Sequence, residues 1–360
     1  MSKHLELHNR FNEHLINKNY SFDNHSKYSP HSKLTSTLVV MAPRTFVNNI
    51  INALRVVSYR KKTVGTIGSR GYSTAKEDKK LNAAIKYCTD LVKKHDPENY
   101  ILSTFYPKHL QKVYFAIRAL NIELIMIRES TTKPQLGNLR MQFWRETIDK
   151  TFKGIPPQQP IAQVLYNSLE ICQLSPLFFK RIIDERDAQL YDPPYINNKD
   201  LESYGENTAS CLLYLHLQSL GVEDIQADHA ASHIGKSIGI VTILRGFPYL
   251  VSKRRMLLPS AITSKYNISQ EEIFRQGPVK GLEDAIFEIA TLAHDHLLTA
   301  RTFLQSTPNQ ALPALLSAVP CDLYLKRLEK YNFNVFDPKL AIRNWKLPFY
   351  LWYNYNKGTF

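Results

Sequence analysis

Two histidines one helical turn apart are the first residues whose types and spacing suggest chemistry. His229 and His233 stand at positions i and i+4, so on a helix both rings face one side, at a spacing that suits Zn²⁺ when a third ligand is present. Asp228 is the nearest candidate, but no glutamate or cysteine at ligand spacing accompanies the pair. We therefore favour hydrogen-bonded helix histidines over a zinc site. His294 and His296 are two residues apart, cannot share a helix face, and receive no predicted role.

Other reactive groups are sparse. The four cysteines lie far apart without a CxxC pair, which indicates buried, reduced thiols rather than a metal site or a disulfide framework. No nucleophile elbow, phosphate-binding glycine loop or dinucleotide fingerprint is present. We predict neither a bound metal nor another cofactor. RNP-like, zinc-finger and arginine-rich elements are also absent, so nucleic acid is not an expected partner.

Residues 331–360 are predicted to form a C-terminal tail. Aromatic residues are concentrated in its last seventeen positions. The only charged side chains in residues 344–360 are Lys346 and Lys357. Aromatic rings with polar tips and flanking lysines suit a bilayer interface. A tail folded on the core and a strip that binds a protein partner are equal alternatives. The candidates for membrane contact are Trp345, Phe349, Tyr350, Trp352 and Tyr353.

The N-terminal fifth of the chain has the composition of a targeting segment. Residues 1–72 contain 11 Lys/Arg and 3 Asp/Glu, which gives +8 of the total formal charge of +14. Residues 1–40 are expected to be disordered. From Met41, an alternative start, an amphipathic and acid-free segment resembles a mitochondrial transit peptide, with a cleavage expected after Tyr72. The chain is therefore predicted to enter the mitochondrial matrix.

The elements that must position any site are predicted to be helices. Apolar residues recur at spacings of three and four over 108–128, 206–220, 227–245 and 282–304, and Ser269 begins a capping box. Gly235 and Gly239 predict close approach to another helix or a ligand. No alternating pattern long enough for strands is present, and no run of about 18 uncharged apolar residues predicts a membrane span. We expect a single all-α domain over residues 79–330.

Several motifs resemble the squalene/phytoene synthase family. They are Tyr114-Phe-Ala-Ile-Arg118, Phe143-Trp-Arg145, Tyr204-Gly-Glu-Asn-Thr-Ala209, Ile243-Leu-Arg245 and Arg254-Arg-Met-Leu-Leu-Pro259. Longer strings, including Asp184-Glu-Arg186 and Ala227 to Lys236, are similar to a mitochondrial branch of that family whose members assist assembly of respiratory complex I. The resemblance implies an isoprenoid-synthase-type helical bundle.

The carboxylates that such synthases use are missing. The resemblance implies two facing helices, each with aspartates one turn apart, that bind Mg²⁺ and through it the substrate diphosphate. The first pair falls on Asn121 and Ile125, and the second on Gly246 and Leu250. Pro248 is expected to disturb a helix that carries ligands there. Other acids lie on different faces or form a single cluster at 184–187, which cannot clamp a diphosphate from both sides.

The polar residues that match or adjoin the family's diphosphate surface remain candidates for a degenerate pocket. If that pocket persists, its basic mouth could bind an anionic lipid or isoprenoid headgroup without metal. Scaffold ion pairs are the alternative. The candidates are Arg118, Asn121, Tyr204, Lys236, Arg245, Arg254 and Arg255.

The leading hypothesis from sequence is a non-catalytic protein, peripheral to the matrix side of the inner membrane, that acts early in assembly of the membrane arm of complex I. Its expected partners are complex I subunits or other assembly factors and the membrane surface. The alternatives are an active head-to-head prenyltransferase that uses displaced acids, and a metal-independent lipid- or isoprenoid-binding protein.

Overall fold

A computed structural model of the chain describes residues 75–131 and 133–360. All regular elements in these residues are helical, which confirms the all-α prediction. The predicted disordered segment and transit peptide, with Met41 and the cleavage after Tyr72, lie outside the described residues.

The described residues form sixteen α-helices. They are α1 (Ala75–His95), α2 (Pro97–Leu102), α3 (Gln111–Ser130), α4 (Pro134–Phe152), α5 (Pro160–Leu169), α6 (Pro176–Ala188), α7 (Asn198–Gly205), α8 (Cys211–Ser219), α9 (Ile225–Ser252), α10 (Ser260–Lys265), α11 (Gln270–Gln276), α12 (Leu282–Thr302), α13 (Leu312–Leu315), α14 (Ala318–Lys330), α15 (Pro338–Ala341) and α16 (Leu347–Lys357). They belong to one compact unit.

Two predicted helices differ in detail from their pattern. The run predicted from residue 206 begins with a π-helical turn, Glu206–Ser210, which joins α7 to α8. Gly221, with φ +70°, follows the end of α8. The run over 227–245 continues through Pro248 to Ser252, so the expectation that Pro248 would disturb the helix is wrong. Pro248 has no N–H to donate to the carbonyl of Leu244, so the helix continues past it with one backbone hydrogen bond fewer.

Helix α9 is the centre of the bundle. Asp224 caps its N-terminus by accepting a hydrogen bond from the backbone N–H of Ala227 at 2.8 Å. It packs along α12, α7, the π-helical turn, α8 and α14. A Cβ on Gly239 would stand 2.5 Å from Cα of Gly205, and one on Gly235 would stand 2.2 Å from Oγ of Ser210. The predicted close approach at these glycines is therefore confirmed, and it is made by helix backbones.

By length and composition α9 is also the one described helix that could cross a membrane. More than half of its most apolar window is buried inside the bundle, and core helices pass the same test. It includes Lys236 and Arg245. Its length and hydropathy are therefore explained by its position in the core of the bundle.

Candidate functional site

The positions predicted to correspond to the family's aspartates lie on α3 and α9. Asn121 is buried in α3, and Ile125, one turn later, is 40% exposed. Gly246 and Leu250 lie in the last two turns of α9. The hydroxyl of Tyr249 hydrogen-bonds a carboxylate oxygen of Glu129, so α3 and α9 approach each other at this end of the bundle.

An arginine that the sequence did not single out lies beside Asn121. Nη1 of Arg186, on α6, donates to the Tyr204 hydroxyl at 2.7 Å, and Nη2 lies 3.5 Å from Oδ1 of Asn121. The guanidinium carbon is 5.5 Å from the centre of the Tyr204 ring, and the buried Nε has no hydrogen-bond partner. Three helices thus bring Asn121, Arg186 and Tyr204 together. The only sequence signal was that Arg186 belongs to a string that carried the narrower resemblance.

Magnesium does not fit this donor set. Mg²⁺ requires hard oxygen ligands, chiefly carboxylates, in near-octahedral geometry. The four replaced positions offer one amide and three groups without a side-chain oxygen, and a guanidinium lies 3.5 Å from that amide. In the part of the chain that the structure describes, no group of three His, Cys, Asp or Glu is arranged to bind a metal ion. A guanidinium, rather than a carboxylate, therefore lies next to Asn121.

The acids considered as replacements have other partners. Arg145 on α4 binds Asp184 at 2.8 Å and Asp187 at 2.7 Å. Glu185 accepts hydrogen bonds from Gln189 at 3.2 Å and from Asn207 at 3.1 Å. The acidic cluster therefore joins α4 to α6 and the π-helical turn.

The remaining acids on α3 are also engaged. Glu123 accepts a hydrogen bond of 2.6 Å from Tyr87 on α1, which shows that it faces away from Asn121. Glu129 accepts from Tyr249 and lies 3.8 Å from Arg255. Neither carboxylate faces the pocket interior as a free ligand.

Arg118 forms an ion pair that is mostly shielded from solvent, with side-chain exposures of 13% for Arg118 and 21% for Asp96. Its Nη2 binds Asp96 at 2.6 Å, and Asp96 also accepts from Asn99 at 2.9 Å. Burial alone would raise the pKa of Asp96, but the charge of Arg118 and these hydrogen bonds outweigh it and lower that pKa. Arg118 therefore fixes the start of α2 against α3.

The other basic candidates form ion pairs at separate places. Lys236 lies 3.9 Å from Glu206, and Arg245 binds Glu98 at 2.9 Å, with its guanidinium 5.1 Å from the Tyr324 ring. Arg254 binds Glu271 on α11 at 2.6 Å.

Arg255 binds Asp192 at 2.7 Å, and Arg128 binds the same carboxylate. Of the seven pocket candidates, only Asn121 and Tyr204 meet, through Arg186.

A buried polar cluster lies deeper in the bundle, next to Arg118. The His216 ring stacks on Tyr114 with centroids 4.5 Å apart, and Tyr106 lies 4.5 Å from Tyr114. The Tyr106 hydroxyl and both ring nitrogens of His216 have no hydrogen-bond partner. Burial, aided by the charge of Arg118, lowers the pKa of His216 well below its usual value. The imidazole is neutral and unsatisfied.

The histidine pair on α9 does not act as a unit. Nδ1 of His233 lies 2.9 Å from Nδ1 of His296, whose Nε2 lies 2.9 Å from Glu202. The His229 ring stacks on Phe303 at 5.6 Å. The prediction of hydrogen-bonded helix histidines is confirmed for His233. Its partner is His296, for which no role was predicted and which α12 brings next to it.

The most aromatic part of the C-terminal tail forms the helix α16, which packs on the core by one face. Leu347 and Leu351 are buried, and Tyr355 packs on Phe105 at 5.1 Å. The opposite face exposes large rings at spacings of three and four. Those residues are Trp345 (74% exposed), Phe349 (55%), Trp352 (42%) and Tyr353 (49%).

The side chains of the last twenty-three residues carry only positive charge. Residues 338–360 include four basic side chains, Lys339, Arg343, Lys346 and Lys357, and no acidic one. The Lys346 ammonium lies 5.3 Å from the Trp345 ring. Tyr350, the fifth predicted contact residue, is half-buried beside the exposed rings.

Comparison with known proteins places the chain in a family. Residues 92–346 match the family model for squalene/phytoene synthase. The human protein named "NADH dehydrogenase (ubiquinone) complex I, assembly factor 6" is 42% identical over 266 residues, which cover 74% of this chain and 80% of the human protein. Its Drosophila melanogaster homolog is 35% identical over 273 residues, covering 73% of this chain and 80% of the fly protein.

A solved structure shows the same fold. A dehydrosqualene synthase in complex with ligand aligns with a TM-score of 0.68 at 15% identity, covering 76% of this chain and 96% of that chain. This agreement confirms the predicted isoprenoid-synthase-type bundle. The chain therefore belongs to the squalene/phytoene synthase family, in the branch that contains the assembly factor 6 proteins.

Proposed function

We propose that this chain is a non-catalytic assembly factor for respiratory complex I, which acts early in assembly of the membrane arm from the matrix side of the inner mitochondrial membrane. The observation that carries the assembly role is the 42% identity, over most of both chains, to a human protein with that name. Its partners would be complex I subunits or other assembly factors.

The chemistry of the site supports the absence of prenyl transfer. A synthase of this family would need carboxylates on α3 and α9 to hold Mg²⁺ against a diphosphate. Here Arg186 lies between Asn121 and Tyr204 instead, and the nearby acids bind other side chains. A positive side chain that is already in place would repel Mg²⁺ and compete for the same oxygens.

Native-gel analysis of mitochondria from cells that lack the gene tests the assembly role. We expect loss of mature complex I with accumulation of early intermediates, and recovery after add-back of the wild-type chain. Add-back of Gly235→Ala is the negative control, because its new Cβ would overlap Ser210 and prevent correct packing. Normal complex I without the gene would refute the proposal.

Thermal melting of the purified protein tests the two alternative functions, prenyl transfer and metal-independent binding of a lipid or isoprenoid. An active prenyltransferase should melt at a higher temperature when Mg²⁺ and a prenyl diphosphate are both present. We expect no change that depends on Mg²⁺. A shift with prenyl diphosphate in the presence of a chelator would instead favour the metal-independent binding protein.

We further propose that the exposed face of α16 holds the protein on the membrane. Trp345, Phe349, Trp352 and Tyr353 offer rings of the type that lie at headgroup depth, and the basic residues around them suit an anionic surface. The inner face of α16 fixes this surface rigidly to the bundle through Leu351.

Vesicle sedimentation tests this contact. The double variant Trp345→Ser/Phe349→Ser should stay in the supernatant at moderate salt, while the wild-type chain pellets with anionic vesicles. Leu139→Ser is the matched control, since Leu139 is 68% exposed on α4, far along the chain from α16. Equal sedimentation of the double variant and the wild type would exclude α16 as the membrane contact.

A further inference from the structure

A cavity opens at the base of α16, and one of the predicted pocket residues, Arg245, lines it. Its volume is about 280 Å³, close to the lower end of the range for small-molecule sites. Its walls come from the start of α2, from α9 and α14, and from residues 340–347, which lead into α16. The exposed Trp345 follows directly on Asn344 of the cavity wall.

Three arginines line this cavity, and its acids are already neutralised. Asp96 binds Arg118 at 2.6 Å, and Glu98 binds Arg245 at 2.9 Å. Arg327 donates to the carbonyl of Ile342 at 2.8 Å and so braces the wall. The charge of the cavity is therefore positive once its two ion pairs are counted.

Arg343 is the arginine that is free to bind a ligand. It is exposed at the cavity rim, and none of the described side chains forms an ion pair or hydrogen bond with it. A guanidinium can donate two parallel hydrogen bonds to a phosphate group. The cavity thus combines a positive interior with an available phosphate donor.

One wall of the cavity is apolar and continues toward the membrane-facing surface. Leu340 and Leu347 line the interior, and Ile342, 64% exposed, continues outward beside Trp345. A free inorganic phosphate would use only the arginines. A phospholipid would use both parts, with its phosphate among the arginines and its glycerol and first acyl carbons along the apolar wall.

We propose that this cavity binds the phosphate-bearing headgroup of an anionic membrane lipid. The inference rests on the proposed membrane contact of α16, which would bring the cavity to headgroup depth. It adds lipid selectivity to that contact, because diffuse attraction of lysines to a negative surface does not require a cavity.

Four variants of the full chain separate a headgroup site from diffuse charge. Arg343→Gln removes the free donor, and Ala341→Phe fills the cavity while every charge is kept. Lys346→Gln removes one charge beside the cavity but outside its lining, and Arg275→Gln removes one from an exposed site on α11. The measurement is the ratio of binding to phosphatidylglycerol-containing vesicles over binding to phosphatidylcholine vesicles.

We expect Arg343→Gln to lower this ratio about fivefold, as loss of one basic contact with an anionic lipid does. Ala341→Phe should lower it similarly with phosphatidylcholine binding unchanged, and Arg275→Gln, on α11, should change it less than twofold. Lys346→Gln measures how much one basic side chain outside the cavity contributes through diffuse attraction. An equal loss in Lys346→Gln and Arg343→Gln, with none in Ala341→Phe, would overturn the proposal in favour of diffuse attraction.

Soluble ligands distinguish the lipid from free phosphate and from a failed membrane contact. Short-chain phosphatidylglycerol below its micelle concentration should raise the melting temperature of the wild type, and also of Trp345→Ser/Phe349→Ser, but not of Arg343→Gln. An equal rise with inorganic phosphate would assign the site to free phosphate and overturn the lipid assignment. Because this assay needs no bilayer, it reads the cavity even if α16 does not bind membranes.

Discussion

Replacing Asn121 by aspartate tests whether Arg186 has taken the place of the metal. The new carboxylate would stand where Oδ1 of Asn121 now lies, 3.5 Å from Nη2 of Arg186. At an effective dielectric constant near 20, their attraction is about 5 kcal/mol. Burying the carboxylate costs several kcal/mol, so we expect Asn121→Asp to raise stability by only about 1 kcal/mol, or about 3 °C in melting temperature.

A double-mutant cycle isolates the pair. In an Arg186→Met background the introduced carboxylate has no counter-ion, so Asn121→Asp should destabilise the protein there, and the coupling energy should be about 3 kcal/mol. The assay is urea unfolding of all four chains, each with Mg²⁺ and with a chelator. Asn121→Gln is the matched control for the change in packing.

Two results would refute the reasoning. A coupling energy near zero would mean that Arg186 does not interact with position 121 as the structure has it. A stability gain in Asn121→Asp that requires Mg²⁺ would mean that one restored carboxylate suffices for a metal site, despite Gly246 and Leu250 on the opposite helix.

Three further predictions concern the scaffold of the site. Gly246→Ala should stabilise α9 by about 0.5–1 kcal/mol, because no atom lies within 4 Å of its new Cβ, whereas Gly235→Ala should prevent folding; similar melting temperatures for the two would contradict the packing. His216→Phe should stabilise the protein by about 1–3 kcal/mol at neutral pH, because two buried ring nitrogens without partners are removed. Burial lowers the pKa of His216, so below the ordinary histidine pKa of about 6.5 the unfolded chain binds a proton that the folded chain does not. Stability is therefore lost as pH falls through that value, and urea unfolding against pH should show a smaller loss in the phenylalanine variant; an identical profile would exclude this histidine as the cause. Arg118→Met should cost about 2–3 kcal/mol by leaving the largely shielded Asp96 without its cation, and much of this loss should be recovered in Arg118→Met/Asp96→Asn, as thermal unfolding would show.

Much of the bundle was predictable from sequence because helix formation leaves a local trace. The spacing of apolar residues predicted α3 and α12 and their buried faces. The small residues of α9 predicted its close packing. The expectation for Pro248 was wrong because a proline removes one backbone hydrogen bond without having to end the helix, and the buried residues Phe247, Leu250 and Val251 keep this part of α9 packed on the core.

The site was less predictable because its partners are distant in sequence. The resemblance to the family implied where its carboxylates would fall, but Arg186 reaches Asn121 across 65 residues, and His296 reaches His233 across 63. No local pattern records such contacts. The pairing of each basic candidate with a particular acid likewise depends on tertiary structure, as with Arg245 and Glu98, 147 residues apart.

The glycine contacts between α9 and the segment from α7 to the π-helical turn also bear on motion. Backbones that touch directly, as at Gly205 and Gly239, leave no side chain that could change rotamer and let the helices slide. Local opening of the bundle should therefore occur away from these glycines. One such place is the loop before α7, which is held by ion pairs to the exposed Asp192. Amide hydrogens along this glycine seam should be among the slowest in the protein to exchange with solvent, and those of the loop around Asp192 among the fastest, with a rate that rises with salt.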